Sequence, residues 1–230
     1  EIAKEFPGIP VKLIWSREED QAHDFYRPIS QCKLSAGLDD KGNLVSLHVR
    51  VSGQSINATL NPAGIQGGKD MRQLQGYFVE PGDAQLGYAV PNLLVEYVMR
   101  NTHVPVGPWR GVNTNQNAVY MECFMDELAE AAGQDPLAFR LKMLKPKYAA
   151  VLKAAADKAG YGKPLPAGRF HGIAQIMGYG SYVAGVAEVS VSRRLLAAAV
   201  ALGAFYLARR HLPVGVAVGG VMLTLLSYWS

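Results

Sequence analysis

The sequence predicts an α+β fold for residues 1–191, followed by a hydrophobic helical tail over residues 192–230. Three observations lead there. Strand-like runs come first, helical periodicity follows, and two further strand-like runs close the body, an order typical of segregated α+β architecture. Charge then stops abruptly. From Ser192 to Ser230 there is no Asp or Glu, and the only basic groups are Arg193, Arg194, Arg209 and Arg210. The chain holds 23 Lys and Arg against 19 Asp and Glu, so subtracting those four leaves a formally neutral body of 19 against 19. The pI near 9.0 therefore reflects the tail, and nucleic acid, which needs a basic patch on a folded surface, is not an expected partner.

Glu1–Phe6 reads as the last turns of a helix closed near Gly8, and the absence of an initial Met makes a longer parent protein the expectation. Val11–Trp15 has strand composition, with Ser16–Asp20 as its polar exit. Cys32–Leu38 and Leu44–Val51 alternate partially and flank Asp39-Asp40-Lys41-Gly42-Asn43, which predicts a β-hairpin. Between Gly53 and Gly87 periodicity fades into a long loop region, and Leu94–Val98 resumes as a strand. Ala118–Ala132 is the clearest helix: Val119, Met121, Met125, Leu128 and Ala132 form one stripe, Glu122, Asp126, Glu127 and Glu130 the polar side, and Gly133 the stop. Asp135-Pro136 restarts a helix as N-cap and first helical residue. Tyr148–Ala159 is a further helix stopped at Gly160. Pro164, Pro166 and Gly168 mark a linker, and Gly172–Val191 reads as two strands around Gly178-Tyr179-Gly180.

In the tail, Leu195–Ala208 and Leu212–Trp229 are uncharged runs of 14 and 18 residues. As helices they would reach about 21 Å and 27 Å, against a hydrocarbon core about 30 Å thick. Two membrane helices joined by Arg209-Arg210-His211 are the expectation, with a helical hairpin buried in a larger soluble core as the alternative. Cys32 and Cys123 lack metal-ligand spacing. Two reduced, buried thiols are expected, with a disulfide left open. The five histidines show no HxxxH or HExxH spacing, and no phosphate-loop or GxSxG motif occurs.

Chemistry concentrates in Thr102–Asn117. Two prolines and two glycines stiffen Val104–Val112 around Trp109-Arg110, and Asn113, Asn115, Gln116 and Asn117 lead into the helix. A rigid loop at a helix N-terminus offers N–H groups to an anion, and Arg110 adds a planar cation with five donors. The competing reading has Arg110 capping a carbonyl or pairing with a surface carboxylate.

An ordered series of motifs carries a resemblance. Pro10–Asp20, His23–Pro28, Val106–Val112, Gln116-Asn117-Ala118, Asp126–Ala129, Gly133–Arg140, Pro164–Arg169 and Gly180–Ala184 together resemble the molybdenum-binding large subunit of the xanthine dehydrogenase/aldehyde oxidase family, in its isoquinoline 1-oxidoreductase beta-subunit branch. Residues 1–191 would then be a partial molybdopterin-binding domain of a bacterial protein, with residues 192–230 matching nothing in the family. The resemblance implies hydroxylation of an aldehyde or N-heteroaromatic substrate at a molybdenum centre held by molybdopterin cytosine dinucleotide. It implies electron exit through a small [2Fe-2S] partner subunit, and the remainder of the large subunit as a further partner. It makes Arg110 the candidate catalytic residue, with Gly107, Trp109, Arg110, Gly111 and Gln116 as cofactor-binding residues. The family's GGGFG loop and GVGE-type glutamate have no counterpart here, and Glu122, Glu127 and Glu188 do not stand at that position. A fragment without turnover of its own is therefore the expectation, with a membrane-anchored non-catalytic remnant or a small membrane transport component as the alternatives. Localisation follows the tail: membrane-associated if it inserts, otherwise periplasmic or cytoplasmic.

Overall fold

The computed structural model describes residues 1–78 and 85–191. The tail expectation falls on residues 192–230 and lies outside them. Among the described residues, no helix is long and apolar enough to cross a membrane.

The chain divides into two compact units. The first, Glu1–Ala155 with Ala174–Gly185, is built on a sheet ordered β1-β2-β3. Strands β1 (Ser30–Leu38) and β2 (Leu44–Gly53) pair antiparallel. Their turn is set by Asp39, whose carboxylate accepts from the Lys41 and Asn43 N–H groups at 2.9 and 2.8 Å. The bonds to Asn43 hold that carboxyl below its ordinary value. Gly42 supplies the left-handed residue, at φ 71°.

Strand β3 (Asn92–Met99) pairs with β2 in parallel. A parallel neighbour demands a long crossover, and residues 54–91 are that crossover, which is why periodicity fades there. It is anchored at Asp70, fully buried, whose carboxylate accepts from Ser55 Oγ (2.7 Å), Asn57 N (3.0 Å), Asn57 Nδ2 (3.0 Å) and Arg72 N (3.1 Å). Ser55 in turn caps the short helix α2 (Ile56–Leu60) by accepting from Ala58 N at 2.9 Å.

Helix α3 (Thr114–Ala131) buries Met121, Met125, Leu128 and Ala129. Each fully buried Met or Leu contributes about 1.5–3 kcal/mol. Its Tyr120 hydroxyl bonds the Ser30 carbonyl at 3.0 Å. The Tyr77 hydroxyl bonds the Asn117 carbonyl at 3.2 Å. These two bonds tie the helix to the sheet and the crossover. Helix α4 (Pro136–Leu141) opens as expected, with Asp135 accepting from Ala138 N, and α5 spans Pro146–Ala159. Strands β4 (Arg169–Gly178) and β5 (Ser181–Ser190) form a two-stranded sheet. Tyr179 and Gly180 between them both have positive φ, 52° and 73°, the signature of a tight type I′ hairpin. In the second unit, Glu188 pairs with Arg169 at 2.5 Å and His171 at 3.6 Å, and Gly168 O accepts from Val191 N at 2.9 Å.

Six expectations need correction. Val11–Trp15 is not a strand: its backbone has no hydrogen-bond partner among the described residues and its side chains are exposed. Strand composition describes fitness for a pleated, half-buried surface, and here no neighbouring strand supplies one. Ser16–Asp20 is not an exit but the start of helix α1 (Arg17–His23), with Ser16 as its N-cap, its Oγ accepting from Glu19 N. Ile2–Glu5 is a single 3₁₀ turn. Helix α3 begins four residues before Ala118, and Val119 is exposed. Glu122, assigned to the polar side, is buried. Finally, both cysteines are free thiols, but Cys123 is exposed and only Cys32 is half-buried; burial pushes the Cys32 thiol up.

Candidate functional site

Three successive residues strap the loop that precedes α3. Phe25 lies against Gly107 so closely that a Cβ there would stand 2.7 Å from the Phe25 Cβ. Tyr26 makes a parallel bridge with Val106, donating to Pro105 O (3.2 Å) and accepting from Gly107 N (3.0 Å). Arg27 then reaches the far side of the loop. Its Nη2 donates to Gln116 Oε1 at 3.0 Å and to Val112 O at 3.5 Å, and its guanidinium carbon lies 5.9 Å from the Trp109 ring centroid. That separation suits a cation–π contact.

The turn itself is tight. Gly111 has φ 83°, and a Cβ there would meet Asn115 Oδ1 at 2.3 Å, so a side chain at this position is blocked twice over. Val112 follows at φ 47°, an outlier for a β-branched residue. Thr114 Oγ1 and N both donate to Gly111 O, and Asn115 Nδ2 donates to Arg110 O at 2.7 Å. Beneath it runs a buried chain of amides. Gln116 Nε2 donates to Asn113 Oδ1 (2.7 Å), Asn113 Nδ2 to Arg72 O (2.9 Å), and Asn117 Nδ2 to both Gln73 O and Gln75 O (2.8 Å each).

Of the residues singled out from the sequence, Gly107 is buried under Phe25, Gln116 is half-buried, and Trp109 and Arg110 are exposed. Arg27 joins Trp109 to Gln116. Arg110 is different: its guanidinium has neither a carbonyl nor a carboxylate partner among the described residues. The helix start offers less than its four N–H groups. Asn113 N is taken by Gln75 Oε1 and Thr114 N by Gly111 O, leaving those of Asn115 and Gln116 without a partner among the described residues. Two surface hollows, one of about 340 Å³ that includes Tyr88, Pro91 and Lys145 and one of about 670 Å³ that includes His48, Asn92 and Leu94, lie at the β2–β3 sheet and away from the loop. The loop presents Trp109 and Arg110 as an exposed wall.

Sequence reasoning passed over Gln75 and met Arg27 only inside a family motif, without giving it a role. Arg27-Pro28 did carry a signal, since proline restricts the residue before it to extended geometry and so aims a long side chain in a fixed direction.

Residues 2–144, which include the strap and the loop, match the family model of the molybdopterin cofactor-binding domain. The chain belongs to this family. Among curated relatives, this molybdopterin cofactor-binding domain is 28% identical over 196 residues to isoquinoline 1-oxidoreductase subunit beta of Brevundimonas diminuta, covering 81% of the chain and 24% of that protein. It is 25% identical over 214 residues to a membrane-bound aldehyde dehydrogenase (pyrroloquinoline-quinone) of Gluconacetobacter polyoxogenes, covering 83% and 28%. The chain therefore spans about a quarter of the length of these relatives. The aldehyde oxidoreductase of Desulfovibrio gigas is similar over 70% of the chain and 19% of its own, at 22% identity and a TM-score of 0.45, too slight a likeness to add to the assignment.

The donor set fits the anionic part of such a cofactor. Among the described residues the Arg110 guanidinium has no partner, nor do the Asn115 and Gln116 N–H groups at the positive end of α3. No carboxylate occupies the turn.

Proposed function

We propose that this domain contributes one wall of the cofactor site of a molybdenum hydroxylase large subunit acting on aldehydes or N-heteroaromatic compounds. The observation that carries this reading is an exposed Arg110 that, like the Asn115 and Gln116 N–H groups at the start of α3, has no partner among the described residues, in a segment matched by the family. Arg110 and the Asn115 and Gln116 N–H groups would hold the pyrophosphate or oxo oxygens of a molybdenum–pterin dinucleotide, in the cytosine form. Gly107 and Gly111 keep the backbone narrow, and Trp109 offers an exposed ring as a stacking wall. The bound group would supply oxygen transfer and two-electron oxidation. The chain's own residues bind and orient, and Arg110 sets a positive charge where negative charge develops.

The three carboxylates considered from the sequence supply no base here. Glu122 is committed to Arg140, Glu188 to Arg169, and Glu127 is solvent-facing on α3. A base and the rest of the cradle would come from other parts of a large subunit, and electrons would leave through a small [2Fe-2S] subunit.

The test is direct. Cytidine 5′-diphosphate, which carries the pyrophosphate and base of the implied cofactor, is titrated into the chain and followed by tryptophan fluorescence. Loss of a charge-assisted hydrogen bond is worth about 1.5–3 kcal/mol, so Arg110→Ala is expected to weaken binding roughly tenfold or more. Equal affinity in the two proteins would overturn the assignment.

A further inference from the structure

We infer that Arg27 is the positioning residue of the Trp109–Val112 turn, the group that holds this wall in shape while leaving Arg110 free. The inference concerns the loop's geometry. Its consequence for a cofactor rests on the reading above, but the geometry does not.

Three contacts converge on one guanidinium. Gln116 lies on the first turn of α3, Val112 at the strained end of the turn, and Trp109 at its beginning. No other side chain of the strap bridges those points: Phe25 and Tyr26 act on Val106 and Gly107, ahead of the turn. Val112 supplies the reason a clamp is needed. Left-handed backbone is disfavoured for an L-residue, most of all a β-branched one, and it persists only where surroundings over-determine it. The Val112 carbonyl, turned by that conformation, meets Arg27, and the same Nη2 bonds Gln116 Oε1, whose amide nitrogen is already fixed on Asn113. A planar guanidinium serves an amide, a carbonyl and an aromatic face together through a rigid fork and a flat face, both of which an ammonium on its flexible stem lacks. Arg110 follows Trp109 directly, so Arg27 sets where the chain carries Arg110 without touching it. Among the described residues no other charged side chain is bonded to the turn.

The test uses the full chain with Trp15→Phe and Trp229→Phe, leaving Trp109 as the single tryptophan of the original three. Arg27→Gln is expected to raise acrylamide quenching of Trp109 about twofold, with the melting temperature nearly unchanged. Arg27→Lys keeps a cation near the ring and is expected to fall between the two. Gln116→Leu removes the other end of the clamp. Because the two share one contact, the double variant Arg27→Gln/Gln116→Leu should quench no more than Arg27→Gln alone. Unchanged quenching in Arg27→Gln, strictly additive effects in the double variant, or a loss of global stability that parallels the quenching would each overturn the proposal. The cofactor reading fails separately. If the parent chain does not bind cytidine 5′-diphosphate while Trp109 responds to Arg27 as described, the wall is not a pyrophosphate site but the positioning role stands.

Discussion

Replacing Arg140 by Met is expected to destabilise the chain by roughly 3–5 kcal/mol, the usual cost of stranding one member of a buried ion pair. Arg140 is fully buried and serves four acceptors: Glu122 Oε2 (3.0 Å), Glu122 O (2.8 Å), Pro136 O (3.1 Å) and Asp126 Oδ1 (2.7 Å). Glu122 also accepts from Tyr88 OH (2.7 Å), Gln175 N (3.1 Å) and Gln175 Nε2 (3.0 Å). One ion pair therefore fastens α3 to α4, to the end of the crossover and to β4. Burial pushes the Glu122 carboxyl up, and Arg140 pulls it back down. Without Arg140 only the upward effect of burial and the neutral hydrogen bonds remain. A carboxyl raised above its unfolded value favours folding below that unfolded value, and the advantage is lost as pH rises through the folded one. The Arg140→Met penalty should therefore be larger at pH 8 than at pH 5, and Glu122→Gln in the same background should flatten that dependence. Urea midpoints at the two pH values measure both. A loss under 1 kcal/mol, or one larger at pH 5, would contradict the account of this cluster.

Asp70→Ala is expected to cost about 3–4 kcal/mol. The change leaves two backbone N–H groups, a hydroxyl and an amide without their acceptor in a closed interior, and each orphaned donor costs about 1–3 kcal/mol before relaxation. Totals beyond 4–5 kcal/mol are exceptional for single substitutions, so partial rehydration sets the ceiling. The loss should be local in its first effect: the crossover opens before the sheet does, because Asp70 ties Ser55, Asn57 and Arg72 together. Limited proteolysis should cut between residues 55 and 75 in Asp70→Ala under conditions that leave the parent chain whole. Asp70→Asn keeps one acceptor oxygen but brings two N–H donors among existing donors, and is expected to lose about half as much. Uniform cleavage throughout the chain would contradict the anchor role.

Much of this architecture is legible in the residues because it is written locally. The β1–β2 hairpin follows from a turn whose Asp39, Gly42 and Asn43 all act within five residues. The helices α3, α4 and α5 carry their own stops and caps, at Gly133, Asp135-Pro136 and Gly160. The features that escape are those set by distant partners. Glu122 sits among acidic neighbours on an amphipathic helix, and nothing in its immediate sequence announces an arginine 18 residues on. Val11–Trp15 has the composition of a strand, and only the absence of a paired neighbour among the described residues decides otherwise. Ser16-x-x-Glu19 did hold a helix start in plain view, masked by the strand-like run before it. At the candidate site the loop and Arg110 stand out through composition and motif. Arg27, 85 residues from Val112 and 89 from Gln116, becomes visible only in three dimensions.

The central claim is that the turn before α3 receives an anionic cofactor, and amide hydrogen exchange tests it most directly. With cytidine 5′-diphosphate added, the Asn115 and Gln116 N–H groups should exchange several-fold more slowly, and Arg110→Gln should abolish that protection. Protection confined to other segments, or protection at Asn115 and Gln116 that survives Arg110→Gln, would contradict it.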